Sequence, residues 1–279
     1  MKARILTGIV GGALALIILL FCPTICTNIA FSVVCALAIY EILIATKFVD
    51  HRGMMAAALA FAIVCPYFML TETRTPALIA LLLYVLVLVL IQLCYHESLS
   101  VERTGFVFFV SMIVSIALAC TPYLLEIHPI HGRFYVLMSF AMPWFCDIGA
   151  YFVGSFLGKH KLCPGISPKK TVEGLVGGIG ISVAVSMLIA WGYQVLFLTP
   201  NGLGTVSYWQ VGLLALLLAP LSVMGDLFAS IIKRQSHVKD FGNIMPGHGG
   251  VMDRFDSMIF VSPALFVVLT YWPLVHMVG

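Results

Sequence analysis

Asp226, Ser230 and Lys233 stand at i, i+4 and i+7, so on a helix they share one face. Asp226 sits in the apolar run Met224-Gly225-Asp226-Leu227, and Lys233-Arg234 opens a charged segment that closes at Asp253-Arg254-Phe255-Asp256. Carboxylates such as Asp226, Asp253 and Asp256 are hard oxygen donors suited to Mg2+, with phosphate oxygens completing the coordination. Asp253 and Asp256 are three apart and would share a face if a helix begins there. Between the acidic ends lies Pro246-Gly247-His248-Gly249-Gly250, flanked by Lys239-Asp240 and Asp253-Arg254. Glycines let a backbone approach a ligand closely, and successive N–H groups can cradle anionic oxygens. A second polar stretch, Ser167-Pro168-Lys169-Lys170-Thr171-Val172-Glu173-Gly174, sets two lysines and two hydroxyls before a helix start, which makes an anion site. The plainer alternatives are an ion-pair cluster that closes a loop, and lysines that anchor to acidic lipid.

The surrounding chain is unlike a soluble domain. Its 279 residues are 61% hydrophobic and 10% charged, with a mean hydropathy of +1.07. About nine stretches approach the roughly 20 apolar residues that a transmembrane helix needs. Their cores are 5–21, 28–46, 54–70, 76–95, 105–125, 134–157, 175–198, 209–232 and 257–277. The expected fold is all-α: a polytopic integral membrane helical bundle forming one domain over 1–279. Residues 1–130 are the N-terminal spans, and 131–279 are the catalytic spans and loops. The first span resembles a signal peptide, but no clean cleavage site follows it, and a retained helix is the expectation.

With nine spans, Lys2, Arg4, Lys47, Arg52, Arg103, Lys159, Lys161, Lys169, Lys170, Lys233, Arg234, Lys239 and Arg254 share one side, against Arg74 and Arg133 on the other. That asymmetry makes the charged side cytoplasmic. It also excludes nucleic acid as a partner, because these charges flank lipid-embedded helices. The eight cysteines are scattered, without a Cys-x-x-Cys pair or a Cys/His ligand set, so zinc and structural disulfides are not expected.

Carboxylates inside spans are costly and are normally paired, metal-bound or lining a wet cavity. Asp226 and Asp147 are such groups. Glu41 lies within two turns of the membrane edge, where Lys47 or Arg52 are candidate partners, and the sequence assigns it no role. Asp226 and the segments 158–173 and 233–256 hold 13 of the 27 Asp, Glu, Lys and Arg residues, which argues for a site. Gly154 to His160 mimics a phosphate-binding Walker loop but lacks its spacing and its Ser or Thr. Gly174, Gly177, Gly178 and Gly180 lie along a span and are expected to allow close helix packing.

The run Ser230-Ile-Ile-Lys233-Arg234, Lys239-Asp240-Phe-Gly242, Pro246-Gly247-His248-Gly249-Gly250 and Asp253-Arg254-Phe255-Asp256 resembles the C-terminal signature of bacterial phosphatidate cytidylyltransferases (CDP-diacylglycerol synthases). Asp147-Ile-Gly149-Ala150-Tyr151-Phe152, Gly158-Lys159 and the Ser167–Gly174 stretch resemble that family's second block. Likeness is close over about 147–257 and extends to length and span number; Met245 stands where the family more often has Leu or Ile.

The resemblance implies transfer of a cytidylyl group from CTP to phosphatidate at the bacterial inner membrane, with Mg2+ and room for a second cation. On that reading Asp226 and Asp253 are assigned to the metal, with Asp256 as a helper and Asp147 as a further candidate. Lys233, Arg234, Lys239, Lys169 and Lys170 would bind phosphates, and His248 with Gly247, Gly249 and Gly250 would hold the triphosphate. Ser167, Thr171 and Ser230 supply hydroxyls to the same phosphates, and Asp240 and Arg254 complete the catalytic set. A CTP-dependent polyprenol kinase, an archaeal-type lipid cytidylyltransferase and an ion-coupled transporter are the rival expectations. A transporter would more often show paired halves, and none is visible. A homodimer is the remaining partner expectation; Gly8 and Gly12 are too slight a basis to place its interface.

Overall fold

The computed structural model describes residues 11–12, 17–19, 21–48, 51–68, 75–245, 247 and 249–276. The expected first span lies largely outside the described residues, and Lys2, Arg4, Gly8, Arg74, Pro246 and His248 lie wholly outside them.

Among the described residues six helices are long and apolar enough to cross a membrane. They are α1 (Thr24–Thr46), α3 (Thr75–Cys94), α4 (Val101–Ile127), α5 (Gly132–Leu157), α6 (Val172–Tyr193, with further turns to Asn201) and α7 (Tyr208–Gln235). Each matches a predicted span to within a few residues, and the protein is an all-α polytopic membrane protein. Two shorter helices, α2 (Arg52–Val64) and α9 (Met258–Tyr271), stand where the sequence predicts the third and ninth spans. At 1.5 Å per residue the 14 residues of α9 cover about 21 Å, short of the roughly 30 Å of hydrocarbon. This helix stops because Trp272 precedes Pro273, which disfavours the helical region; Trp272 has φ −142° and ψ 74°. The single turn α8 (Met252–Phe255) precedes it, separated by Asp256 and Ser257. Asp253 therefore lies in that turn and Asp256 in the break that follows it, and they do not share a face of one helix.

The chain forms two compact units, Met1–Glu126 with Ile232–Phe255, and Ile127–Ile231 with Asp256–Gly279. In the first, Ser32 of α1 donates to the Ile63 carbonyl of α2 at 2.7 Å. Phe61 of α2 stacks on Tyr84 of α3 at 4.7 Å, and the Tyr84 hydroxyl meets Ser111 of α4. Tyr123 of α4 donates to the Cys65 carbonyl. Hydroxyls in an apolar phase need such internal partners. On α3 Tyr84 and Leu88 are buried, whereas Leu78, Leu82, Leu86 and Leu93 are exposed, a surface suited to hydrocarbon and not to water.

In the second unit α5 and α6 pack through glycine. A Cβ on Gly178 would stand 2.6 Å from the Cys146 carbonyl, and one on Gly174 would stand 2.8 Å from the Ala150 carbonyl. Gly177 faces Val153 as closely. Gly180 does not serve this packing, since nothing lies within 4 Å of its Cβ position. The close approach lets Ser182 donate to the Met142 carbonyl at 2.8 Å.

Two small antiparallel ladders complete the unit. Strands β1 (Lys161–Cys163) and β2 (Ser167–Thr171) pair Lys161 with Thr171 and Cys163 with Ser167. Strands β3 (Thr205–Val206) and β4 (Val275–His276) tie the α6–α7 connection to the segment after α9. The lysine stretch before α6 is thus a strand and not an open loop.

Matched substitutions test the glycine seam. Gly178→Ala should lower stability by about 1–3 kcal/mol through overpacking. Gly180→Ala should be neutral or slightly stabilising, by up to about 1 kcal/mol. Thermal melting in one detergent reads both.

Candidate active site

In the first unit the site is built from the end of α7 and the segment that follows. The helix closes on a Schellman turn: the Val238 N–H donates to the Lys233 carbonyl at 3.0 Å and the His237 N–H to the Arg234 carbonyl at 3.2 Å. His237 takes the left-handed conformation at φ 57°. Lys233 and Arg234 occupy the last turn, where the helix dipole favours cations. Arg234, His237, Val238 and Lys239 line an open hollow of about 330 Å3. Its cationic lining suits an anion.

Asp253 organises the rest of this segment. Its side chain is 4% exposed, and Oδ1 lies 2.7 Å from Lys233 Nζ. Oδ2 accepts the Phe241 N–H at 2.9 Å and the Gly250 N–H at 3.0 Å. Lys233 also stands over the Phe241 ring, 5.3 Å from its centroid. One carboxylate thus gathers an ammonium and two amides from three places in the chain. The Gly250 amide, in the glycine stretch, is one of those two donors. Gly247 and Gly249 have φ of 79° and 85°, left-handed values that close the short loop in which the Met245 N–H reaches the Gly249 carbonyl at 3.0 Å. His248 lies outside the described residues, while Asp240, Lys239 and Arg254 are exposed at the surface.

Glu41 of α1 joins this unit's site. It is 3% exposed, and Oε2 accepts the Met252 N–H at 2.9 Å. Among the described residues it pairs with neither Lys47 nor Arg52. A Cβ on Gly242 or Gly250 would fall 2.7 or 2.8 Å from its Cδ. Sequence reasoning flagged the buried acid but missed its partners, because they are more than two hundred residues away. His237 was missed as well; nothing in its local spacing marks it.

In the second unit the lysine strand meets α7. Side chains alternate along β2: Lys169 is exposed, and Lys170 turns inward to place Nζ 2.6 Å from Asp226 Oδ2. Ser230 donates to Asp226 Oδ1 at 3.3 Å, which bears out the i, i+4 spacing. The two side chains of the pair are 21% and 28% exposed. Thr171 caps α6 by accepting the Gly174 N–H at 3.1 Å, and Glu173 accepts the Lys159 N–H at 3.0 Å and approaches His160 Nδ1 at 2.6 Å. The cap and the Glu173 contacts hold the ends of the hairpin to the helix and so aim Lys170. Asp256 is buried and accepts the Ser257 N–H at 2.8 Å. Gly225, the residue before Asp226, lets the Asp256–Ser257 backbone pass; its Cβ would stand 3.1 Å from Ser257 Cα. Asp147 is half-buried on α5 beside Cys146.

Asp226 and Asp253 therefore each face a lysine. Among the described residues no three His, Cys, Asp or Glu side chains are grouped to hold a metal ion. Mg2+ is commonly bound through one or two carboxylates together with substrate phosphates, and carboxylates of this kind are present in both units.

Asp253→Ala would leave the Lys233 ammonium and two amides without their acceptor. The expected loss is on the order of 3 kcal/mol, read as a lower melting temperature in detergent, with Lys233→Met/Asp253→Ala recovering part of it.

Residues 2–272 match the sequence profile of the Cytidylyltransferase family. The chain is 33% identical over 275 residues to a phosphatidate cytidylyltransferase of Bacillus subtilis (strain 168), covering 96% of this chain and 97% of that one. Over 138 residues, half of each chain, it is 43% identical to the phosphatidate cytidylyltransferase of Staphylococcus saprophyticus and 42% to that of Staphylococcus haemolyticus. A match that runs from the first helices through α9, and includes every charged segment described above, settles the kinship: the chain belongs to the cytidylyltransferase family.

Proposed function

We propose that the protein transfers a cytidylyl group from CTP to phosphatidate, giving CDP-diacylglycerol and pyrophosphate for phospholipid synthesis. The observation that carries this reading is that each unit holds a lysine–carboxylate contact, Lys170–Asp226 in the second and Lys233–Asp253 in the first, the first also holding the hollow lined by Arg234 and Lys239, in a chain related over its whole length to enzymes named for that reaction. The phosphate monoester of the lipid has a second pKa of about 6, so at pH 7 its oxygen is largely ionised and is itself the nucleophile. It forms a bond to the α-phosphorus of CTP while the bond to the β-phosphate oxygen breaks, and pyrophosphate departs with that electron pair. No covalent enzyme intermediate is required.

The chain's task is to bring two polyanions together in line. Lys169, Lys170, Lys233, Arg234 and Lys239 neutralise and orient phosphates, with Ser167, Thr171 and Ser230 as hydroxyl donors and Asp240 and Arg254 beside them. His248 and Gly247, Gly249 and Gly250 form the triphosphate loop. Bound Mg2+, with a second cation if one is used, would draw on Asp226, Asp253, Asp256 and Asp147 and would withdraw charge from the phosphates. The ammonium groups that Asp226 and Asp253 now hold would then be available to substrate. The site faces the cytoplasm of a bacterial cell, a placing supported by the charge asymmetry of the loops. Phosphatidate keeps its tails in the bilayer, CTP arrives from solution, and the enzyme works as a single membrane domain, with a homodimer as its proposed assembly.

Purified protein given labelled CTP and phosphatidate should form labelled CDP-diacylglycerol, lose activity with EDTA and regain it with Mg2+. Label entering a polyprenol but not phosphatidate would overturn the assignment. Asp253→Asn should stop pyrophosphate release in protein that still inserts in membranes, and Lys170→Met should cost on the order of 100-fold in kcat.

A further inference from the structure

Glu41 belongs to a part of the chain that contributes nothing else to the charged segments, yet the glycine-rich loop is shaped around it. Its Oε2 accepts the Met252 N–H, 211 residues later in the chain. Oε1 is buried and has no hydrogen bond among the described residues. The three atoms nearest to a Cβ built on Gly242 all belong to Glu41, and the same is true of Gly250. So one carboxylate fills the space that two absent side chains leave, and it holds the amide between Val251 and Asp253 in place. What that backbone carries is Asp253, whose Oδ2 takes the Gly250 and Phe241 amides and whose Oδ1 takes Lys233.

We propose that Glu41 is a positioning residue: it keys Gly242 and the 249–252 segment onto α1 and thereby fixes the Asp253–Lys233 pair, without touching substrate. Its effect on turnover rests on the cytidylyl-transfer reading, whereas its effect on the loop does not. Hydrogen bonding through one oxygen and occupancy through the other are both properties that glutamine shares. The charge is therefore dispensable and the shape is not.

The test uses full-length protein in detergent or nanodiscs with four variants: Glu41→Ala, Glu41→Gln, Gly242→Ala, and the double variant of Glu41→Ala with Gly242→Ala. Glu41→Ala should lower kcat about tenfold or more at saturating CTP and phosphatidate, with a smaller change in KM. Glu41→Gln should stay within about threefold of wild type, since its carbonyl still accepts the Met252 N–H. Gly242→Ala should also be impaired, and the double variant should be no worse than Glu41→Ala, because removing the carboxylate makes room for the methyl. Hydrogen exchange should quicken in peptides covering 241–253 of Glu41→Ala while the α5–α6 peptides exchange as in wild type. Wild-type turnover in Glu41→Ala, a Glu41→Gln variant as poor as Glu41→Ala, additive losses, or faster exchange throughout the protein would each overturn the proposal. If the wild type shows no cytidylyl transfer, the functional reading fails and the exchange measurement still decides this one.

Discussion

An ionised group away from water needs a counter-charge or a set of hydrogen-bond donors, and the described acids of this protein meet that demand in different ways. Asp226 has a lysine and a serine hydroxyl; Asp253 has a lysine and two amides; Glu41 has one amide and a fitted cavity. Much of the local architecture follows from supplying those partners. The β1–β2 hairpin exists where one strand face can turn Lys170 inward, and the Thr171 cap with the Glu173 contacts fixes its angle to α6. The Schellman turn after α7 redirects the chain so that Phe241 can present its amide to Asp253.

The same constraint prepares the chemistry. A lysine held by a carboxylate has already lost most of its rotational freedom, so less is lost when a phosphate oxygen takes the carboxylate's place. The paired lysines are also desolvated in part, which strengthens their pull on a phosphate that reaches them. Cations with a firm position, and not a reactive side chain, are what a reaction between two polyanions asks of its enzyme.

The helices were legible because lipid imposes a length and a composition that leave their mark on any window of the chain. Six predicted spans match helices, and Asp226 and Ser230 meet as their spacing requires. Errors fell where a local signal was overridden. The apolar run after Met258 continues to residue 277, but Pro273 ends the helix at Tyr271. A lysine- and proline-containing stretch does not read as a strand, yet it pairs as the edge of a two-stranded ladder, where Pro168 is tolerated. The site residues were found as types and not as partners. No spacing rule links Glu41 to Met252 or Lys170 to Asp226, because those contacts are made by the fold and not by one helix.

The contact between Glu41 and Met252 also has a history during synthesis. Ribosomes add about 5–20 residues per second, so roughly 10–40 s separate the emergence of the acid from that of the amide it will hold. Through that interval α1 must lodge at the translocon or the bilayer edge with the Glu41 carboxyl group kept in contact with water. It can settle only when the chain has been made as far as Met252. A segment made some two hundred residues later is thus the one that completes this helix, and a nascent chain cut short before residue 252 would carry an exposed acid that quality-control proteases can recognise.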